Sequence, residues 1–128
     1  MGVVDERSEL GGSYMGMCQN NLGIRTDLLD ACPKAKGMMM LVRSMGPQVI
    51  AVDEIGSTEE VQMLLYAMYC GCRMIATVHG ASYNEIRSKP MFESFFTQKL
   101  FQRYVVLEYG NQIGQIEGIY NEQGVKLC

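Results

Sequence analysis

The sequence predicts an α/β fold, with a mostly parallel sheet followed by a C-terminal antiparallel hairpin. Short apolar runs typical of buried strands recur at residues 2–4, 49–52 and 74–78, and segments with helical spacing of apolar residues lie between them. A late strand at 104–107 is followed by turn-forming residues at 121–124. Strands that alternate with helices form parallel sheets, whereas a short turn between strands forms a hairpin.

Length and composition indicate one globular domain. The 128 residues (14.3 kDa) suffice for a core, and 48% of them are apolar. A formal net charge of −3 gives no general reason to expect a nucleic-acid partner. No apolar stretch approaches the roughly 20 residues of a membrane span, so we expect a soluble, cytosolic protein. The odd cysteine count, five, favours a reducing compartment over a disulfide framework.

The first elements of the chain are a strand, a loop and a helix. The strand at 2–4 runs into Asp5-Glu6-Arg7, and the polar, glycine-containing stretch 8–23 predicts a loop. Apolar residues at helical spacing predict a helix over 33–45. This helix ends at Gly46-Pro47, because proline cannot continue the ladder of hydrogen bonds.

The decapeptide 47–56 is the most informative segment. Its apolar run predicts a strand buried on both faces, and Asp53 and Glu54 follow at the carboxyl end. Open α/β sheets bind ligands at that edge. Taken alone, the segment fits equally well an ordinary strand that ends in a solvated acidic turn. Ser57 and Glu60 then form a capping-box pattern that predicts the next helix.

The remaining elements are two strands, two short helices and a hairpin. Gly71 suits the C-terminal end of the second helix, and the strand at 74–78 runs into His79. Residues 82–85 repeat the capping-box pattern at the start of a shorter helix near Pro90. Phe92, Phe95 and Phe96 share one apolar face, and residues 113–127 predict a hairpin around the turn at 121–124.

Three predicted strands end in polar residues that suit one reaction. The carboxyl ends of parallel strands lie at one sheet edge, so Asp5-Glu6-Arg7, Asp53-Glu54 and Thr77–His79 should converge. Hydrolysis of a nucleoside triphosphate requires a carboxylate for hydrated Mg²⁺, a second one to orient water and a neutral donor that senses the γ-phosphate. It also requires arginines that offset developing charge.

Five sequence blocks resemble a known family over nearly the whole chain. They are VDERSE (4–9), GIRTDLLDACPK (23–34), MMMLVRSM (38–45), VDEIG (52–56) and ATVHG (76–80). The chain resembles the stage III sporulation protein AA family, a branch of the type II/IV secretion ATPases of spore-forming bacteria. The resemblance implies a RecA-like P-loop NTPase core. Residues 1–128 would form one partial ATPase domain, with the Walker B and histidine-box core at 1–109 and the hairpin at 110–128.

The resemblance also implies roles for the residues at the strand ends. Asp53 stands at Walker B and would position Mg²⁺, and Glu54 would activate the nucleophilic water. His79 stands at the histidine box and, with Thr77, would read the γ-phosphate of ATP. These residues are expected to bind ATP and Mg²⁺.

Two choices among the implied site residues stay open. Asp5-Glu6 stands at an acidic box, and only one of the two side chains should face the crevice because side chains alternate along a strand. Arg7 or Arg25 would stabilise the transferred charge, as a nucleotide or intersubunit contact, while Arg43 is the weaker alternative.

One part of the family pattern is missing from the chain. No segment reads Gly-x-x-x-x-Gly-Lys-Ser/Thr, the loop whose N–H groups cradle phosphate. The chain therefore resembles the carboxyl-terminal portion of the ATPase domain, without the P-loop strand that would lie between the strands at 74–78 and 104–107. We expect the isolated chain to be marginally stable and prone to aggregation unless the upstream segment is supplied.

Two functions are predicted. The first is a motor ATPase that binds ATP and Mg²⁺ between the subunits of a ring, with a hexamer expected. Its partners would be membrane-embedded sporulation channel proteins, reached from the mother-cell cytosolic side. The second is a non-catalytic assembly module that keeps the fold but binds no triphosphate.

Overall fold

The computed structural model describes residues 1–110 and 114–128, which form two compact units, Met1–His79 and Gly80–Cys128. The first unit contains a four-stranded sheet and the second a two-stranded one. The chain is therefore α/β, as predicted. The assignment of the whole chain to one partial ATPase domain divided at residue 109 stays a prediction.

The sheet of the first unit is parallel throughout. Its strands are β1 (Gly2–Asp5), β2 (Asp27–Asp30), β3 (Val49–Val52) and β4 (Arg73–Ala76), in the order β2-β1-β3-β4. Three of them lie where the apolar runs predicted strands. The fourth, β2, was not predicted, because its two leucines between two aspartates carry little strand signal. Its strand geometry depends on pairing with β1, which is distant in sequence.

Two helices pack with this sheet. Helix α1 (Lys34–Met40) continues as a π-helical turn, Leu41–Met45, and ends at Gly46 with φ of 52°. Helix α2 (Thr58–Tyr69) begins at the predicted capping box, in which the side chains of Ser57 and Glu60 each accept a hydrogen bond from the other residue's backbone N–H. The apolar spacing and the stop at Gly46-Pro47 therefore located the first helix correctly, and the capping box located the second.

The core of the first unit lies between α1, α2 and the sheet. Gly37 of α1 approaches Val4 of β1 so closely that an added Cβ would lie 2.4 Å from a Val4 methyl carbon. Leu41 lies against Gly2 in a similar way. The buried residues include Val4, Met38, Leu41, Ile50, Val52 and Leu64. Met38 is thus a core residue of the first unit.

The second unit combines short helices with a hairpin. It contains α3 (Tyr83–Ser88), a 3-10 turn (Pro90–Phe92), α4 (Glu93–Thr97), β5 (Arg103–Leu107) and β6 (Ile116–Asn121). The predicted turn after β6 is present, because the Asn121 N–H donates to the carbonyl of Val125 and Tyr120 bridges Lys126. The longer antiparallel pairing is β5 with β6. Ile113, the predicted start of the hairpin, lies outside the described residues.

An aromatic cluster fills the second unit. Tyr83, which is buried, stacks on Tyr120 with ring centres 4.3 Å apart, and Phe96 stacks on Tyr104 at 4.9 Å. Burial raises the pKa of Tyr104 to about 12. Across the ranges 1–110 and 114–128, no helix combines the length and apolar character needed to cross a bilayer.

The close approach of Gly37 to Val4 predicts a packing defect in Gly37→Ala. Alanine favours a helix over glycine by about 1 kcal/mol, but overpacking costs typically about 1–3 kcal/mol, so a net loss of about 1 kcal/mol is expected. Urea denaturation measures it. Gly56→Ala is the matched control, since its Cβ would meet nothing closer than 3.8 Å. Equal unfolding midpoints for the two variants would contradict the described packing.

Candidate functional site

Parallel register brings three strand ends to one edge. Val4 of β1 pairs with Val52 of β3, and Val52 pairs with Ala76 of β4, so the three strands end at the same level. The polar residues that follow these strands therefore lie side by side, as the sequence predicted. Most of the predicted site residues belong to this cluster.

The carboxylate of Glu54 is the centre of the cluster. Its Oε2 lies 2.9 Å from Nη2 of Arg7, and its Oε1 lies 3.3 Å from Nε2 of His79. Arg7 also contacts the Glu9 carboxylate at 3.1 Å. Arg7 and His79 are well exposed, so these contacts add little stability but leave both side chains accessible to a ligand.

The backbone of Glu54 is held in an unusual conformation. Its φ is 45°, in the left-handed region that a glutamate rarely adopts. Its N–H donates to Oγ1 of Thr77 at 2.8 Å, and its carbonyl accepts from Nζ of Lys34 at 2.8 Å. Such strain costs on the order of 1–3 kcal/mol and recurs at functional sites. Thr77 therefore contacts the backbone of Glu54, and its contact with nucleotide stays a prediction.

Asp53, the residue before Glu54, is buried. Its Oδ1 has no hydrogen-bond partner among the described residues. Burial raises the pKa of the Asp53 carboxyl, and the nearby Lys34 charge partly opposes the rise. A buried carboxylate oxygen without a donor is costly unless a cation or proton accompanies it.

The Asp53 oxygen fits a magnesium ligand. Mg²⁺ prefers oxygen donors and is commonly bound by one or two carboxylates together with water and substrate phosphates. In the part of the chain that the structure describes, no group of three or more His, Cys, Asp or Glu residues could hold a metal ion. Within the cluster, Asp53 is the described residue whose buried, unpartnered oxygen could hold a cation.

The two acidic residues after β1 have different surroundings. The Asp5 side chain is fully buried, and its two oxygens accept from the N–H groups of Glu9 at 2.9 Å and Gly11 at 2.8 Å. Asp5 thereby shapes the loop that follows β1. Glu6 is exposed, and its Oε2 lies 3.8 Å from Nζ of Lys34. Of the two, Glu6 is the one available to a ligand.

Lys34 is a member of the cluster that the sequence interpretation missed. Its side chain is only 11% exposed, and its Nζ lies near Glu6, Glu60 and the Glu54 carbonyl. One sequence signal could have found it. A cation in the first turn of a helix opposes the helix dipole, so a lysine directly after Pro33 indicates acidic partners nearby.

Arg25 is not brought to the cluster within one chain. It precedes β2, and its carbonyl accepts from the N-terminal amine of Met1 at 2.6 Å, at the amino ends of the strands. Arg43 is exposed in the π-helical turn. A role for Arg25 between subunits stays a prediction.

A cavity lies at the amino ends of the strands, the sheet edge opposite Glu54. Its volume is about 350 Å³, and Gln48, Val49, Gly71 and Arg73 line it. Gln48 precedes β3 and Gly71 precedes β4, so this cavity is separate from the acidic cluster, which is the group of polar residues around Glu54. Arg7 and His79 are well exposed, so this part of the cluster around Glu54 is open to solvent.

The raised pKa of Asp53 predicts a pH dependence of stability. Because the folded state holds the proton more tightly than the unfolded state, unfolding free energy should fall as pH rises from the ordinary value of 3.8 through the raised pKa. Asp53→Asn cannot titrate and should lack this decline. Urea denaturation across that range, without divalent cations, measures it. Glu59→Gln, at an exposed position on α2, should keep the wild-type decline; a wild-type decline in Asp53→Asn would contradict the assignment.

Comparison with known proteins identifies the family. The family model described as "Sporulation stage III, protein AA" matches residues 1–127. The chain is 42% identical over 123 residues to stage III sporulation protein AA of Bacillus subtilis (strain 168), covering 96% of this chain and 40% of that protein. No solved structure matches the chain. The chain therefore belongs to the stage III sporulation protein AA family.

Proposed function

We propose that this chain is the C-terminal part of a sporulation motor ATPase that, when intact, binds and hydrolyses ATP with Mg²⁺. One observation carries the proposal: the Glu54 carboxylate is held between Arg7 and His79, and the residue before it, Asp53, has a buried oxygen without a hydrogen-bond partner among the described residues. A carboxylate, a guanidinium and an imidazole thus lie together at the edge where α/β sheets bind ligands, and a second carboxylate follows the same strand as the first.

The chemistry assigned to each residue follows from its surroundings. Glu54 would orient and accept a proton from the attacking water, because its carboxylate is partly exposed and contacted by two side chains. Arg7 and His79 would donate to phosphate oxygens as negative charge develops. Asp53 would hold Mg²⁺, which neutralises charge on the phosphates when bound.

The proposed fold of the intact domain is a RecA-like P-loop NTPase. The parallel order β2-β1-β3-β4 and the acidic residues that follow β3 support it. The chain has no Gly-x-x-x-x-Gly-Lys-Ser/Thr segment. Since the chain spans about 40% of the length of its curated relative, we propose that the rest of the intact protein supplies the phosphate-binding loop.

In the proposed assembly, ring-forming copies of the ATPase act on a membrane-embedded channel from the mother-cell cytosol during sporulation. A second candidate function, a non-catalytic assembly module, is favoured by the surface of the hairpin. Val105, Leu107 and Ile116 are 51%, 58% and 58% exposed, as protein-binding surfaces often are. Nucleotide-dependent activity separates the two candidates.

The first test concerns Glu54. The chain joined to its natural upstream sequence should hydrolyse ATP only with Mg²⁺, and Glu54→Gln should lower kcat at least about a hundredfold while ATP binding persists, because the amide keeps the size but loses basicity. Steady-state phosphate release and calorimetric ATP titration measure the two effects. Glu59→Gln is the control for the same chemical change on an exposed helix. An inactive wild type would reject the motor in favour of the assembly module.

The second test distinguishes Arg7 from Arg25 by mixing inactive variants. Arg7 and Glu54 belong to one cluster, so an equimolar mixture of Arg7→Gln and Glu54→Gln should stay inactive. If Arg25 serves a neighbouring subunit, mixing Arg25→Gln with Glu54→Gln should restore about a quarter of wild-type activity. In randomly mixed rings, about one interface in four brings an intact Glu54 together with an intact Arg25 of the next subunit. Absence of recovery in the Arg25 mixture would reject the intersubunit role.

A further inference from the structure

Lys34 contacts three segments of the chain at the carboxyl edge of the sheet. Its Nζ lies 2.8 Å from the Glu54 carbonyl oxygen, 3.8 Å from Oε2 of Glu6 and 3.9 Å from Oε1 of Glu60. Glu6 follows β1, Glu54 follows β3 and Glu60 lies in the first turn of α2. A single ammonium group therefore links the segments that surround the acidic cluster.

The shortest of these contacts is with the backbone of Glu54. The two carboxylate contacts are longer than a hydrogen bond, whereas the carbonyl contact has hydrogen-bond length. At 11% exposure, the Lys34 side chain is largely removed from water, and its position at the start of α1 opposes the helix dipole. A cation at this position is unfavourable unless nearby oxygens compensate it, and the Glu54 carbonyl is the nearest.

Lys34 and Thr77 together fix both sides of Glu54. Thr77 Oγ1 accepts from the Glu54 N–H and Lys34 donates to the Glu54 carbonyl, so both peptide groups that flank the residue are held. These two contacts restrain the left-handed φ of 45°. Because the backbone sets the direction of the Cα–Cβ bond, they also set where the carboxylate can reach. It reaches Arg7 and His79.

We propose that Lys34 is a positioning residue, which directs the Glu54 carboxylate by holding its backbone carbonyl. The assignment rests on the proposed ATPase function for its kinetic consequence, while its structural consequence is independent of ATP. Lys34 acts through Glu54 and makes no contact with the transferred phosphate in this role. Its loss should therefore impair the chemical step far more than nucleotide binding.

The kinetic test compares Lys34→Met with Lys36→Met in the chain joined to its natural upstream sequence. Lys36 lies on the same helix and is exposed, so its change removes the same charge without the buried contact. Lys34→Met should lower kcat about ten- to a hundredfold with KM for ATP changed less than about threefold, because a small displacement of a catalytic group has effects of this size. Lys36→Met should retain wild-type kcat and KM.

A double variant tests whether Lys34 acts through Glu54. In the Glu54→Gln background, adding Lys34→Met should reduce the residual rate by less than about twofold, since the group it positions is already disabled. If Lys34→Met lowered the rate by the same factor in the Glu54→Gln background as in the wild type, Lys34 would act elsewhere and the assignment would be overturned.

Amide hydrogen exchange of this chain without nucleotide provides the structural test. Lys34→Met should accelerate exchange of the Glu54 and Ile55 amides at least about tenfold, while Lys36→Met leaves them unchanged. Ile55 is informative because its N–H donates to the carbonyl of Thr77. If Lys34→Met loses cooperative thermal unfolding, Lys34→Leu, which is shorter and likewise has no donor, replaces it under the same criteria.

The outcomes separate the two proposals. An inactive wild type rejects the ATPase, and amide exchange still decides the role of Lys34. An active wild type in which Lys34→Met and Lys36→Met have equal kcat overturns the positioning role. Unchanged exchange at Glu54 and Ile55 overturns it as well.

Discussion

The parallel alignment of β1, β3 and β4 is the constraint on which the candidate site depends. Each strand contributes only two or three polar residues, and no strand end alone assembles the cluster. Val4, Val52 and Ala76 form one row across the sheet, so the residues that follow them emerge at one level. A slip of one residue in either pairing would turn the side chains of that strand to the other face and disperse the cluster. The apolar residues of β1 and β3 that pack with α1 and α2 oppose such a slip, which makes core packing the determinant of site geometry.

Two neighbouring carboxylates in this site have different surroundings. Asp53 is buried with an unpartnered oxygen, and Glu54 is partly exposed with both oxygens contacted by nitrogen atoms. Both residues follow the end of β3, and the backbone at Glu54 has the left-handed φ of 45°. Carboxylates in contrasting environments are suited to different tasks. In the proposed ATPase, the buried one suits a cation and the exposed one suits proton transfer from water.

The parts of the structure that could be predicted from the sequence are those with local signals. The apolar runs of β1, β3 and β4, the capping box at Ser57 and the turn at Asn121 each depend on a few adjacent residues. Once the strands are parallel, the convergence of Glu6, Arg7, Glu54 and His79 follows from topology. What could not be predicted depends on distant partners. The strand β2 depends on its pairing with β1, and the role of Lys34 depends on contacts with three segments of the chain. The position of Arg25 depends on the direction in which β2 runs.

The positive φ of Glu54 means that stability and chemistry favour different residues at this position. Glycine, or asparagine to a lesser degree, adopts the left-handed region with less strain than glutamate does. A chain optimised only to resist heat or denaturant would accordingly carry one of these two residues at position 54. Its fold could become more robust, but it would have no carboxylate between the guanidinium and the imidazole.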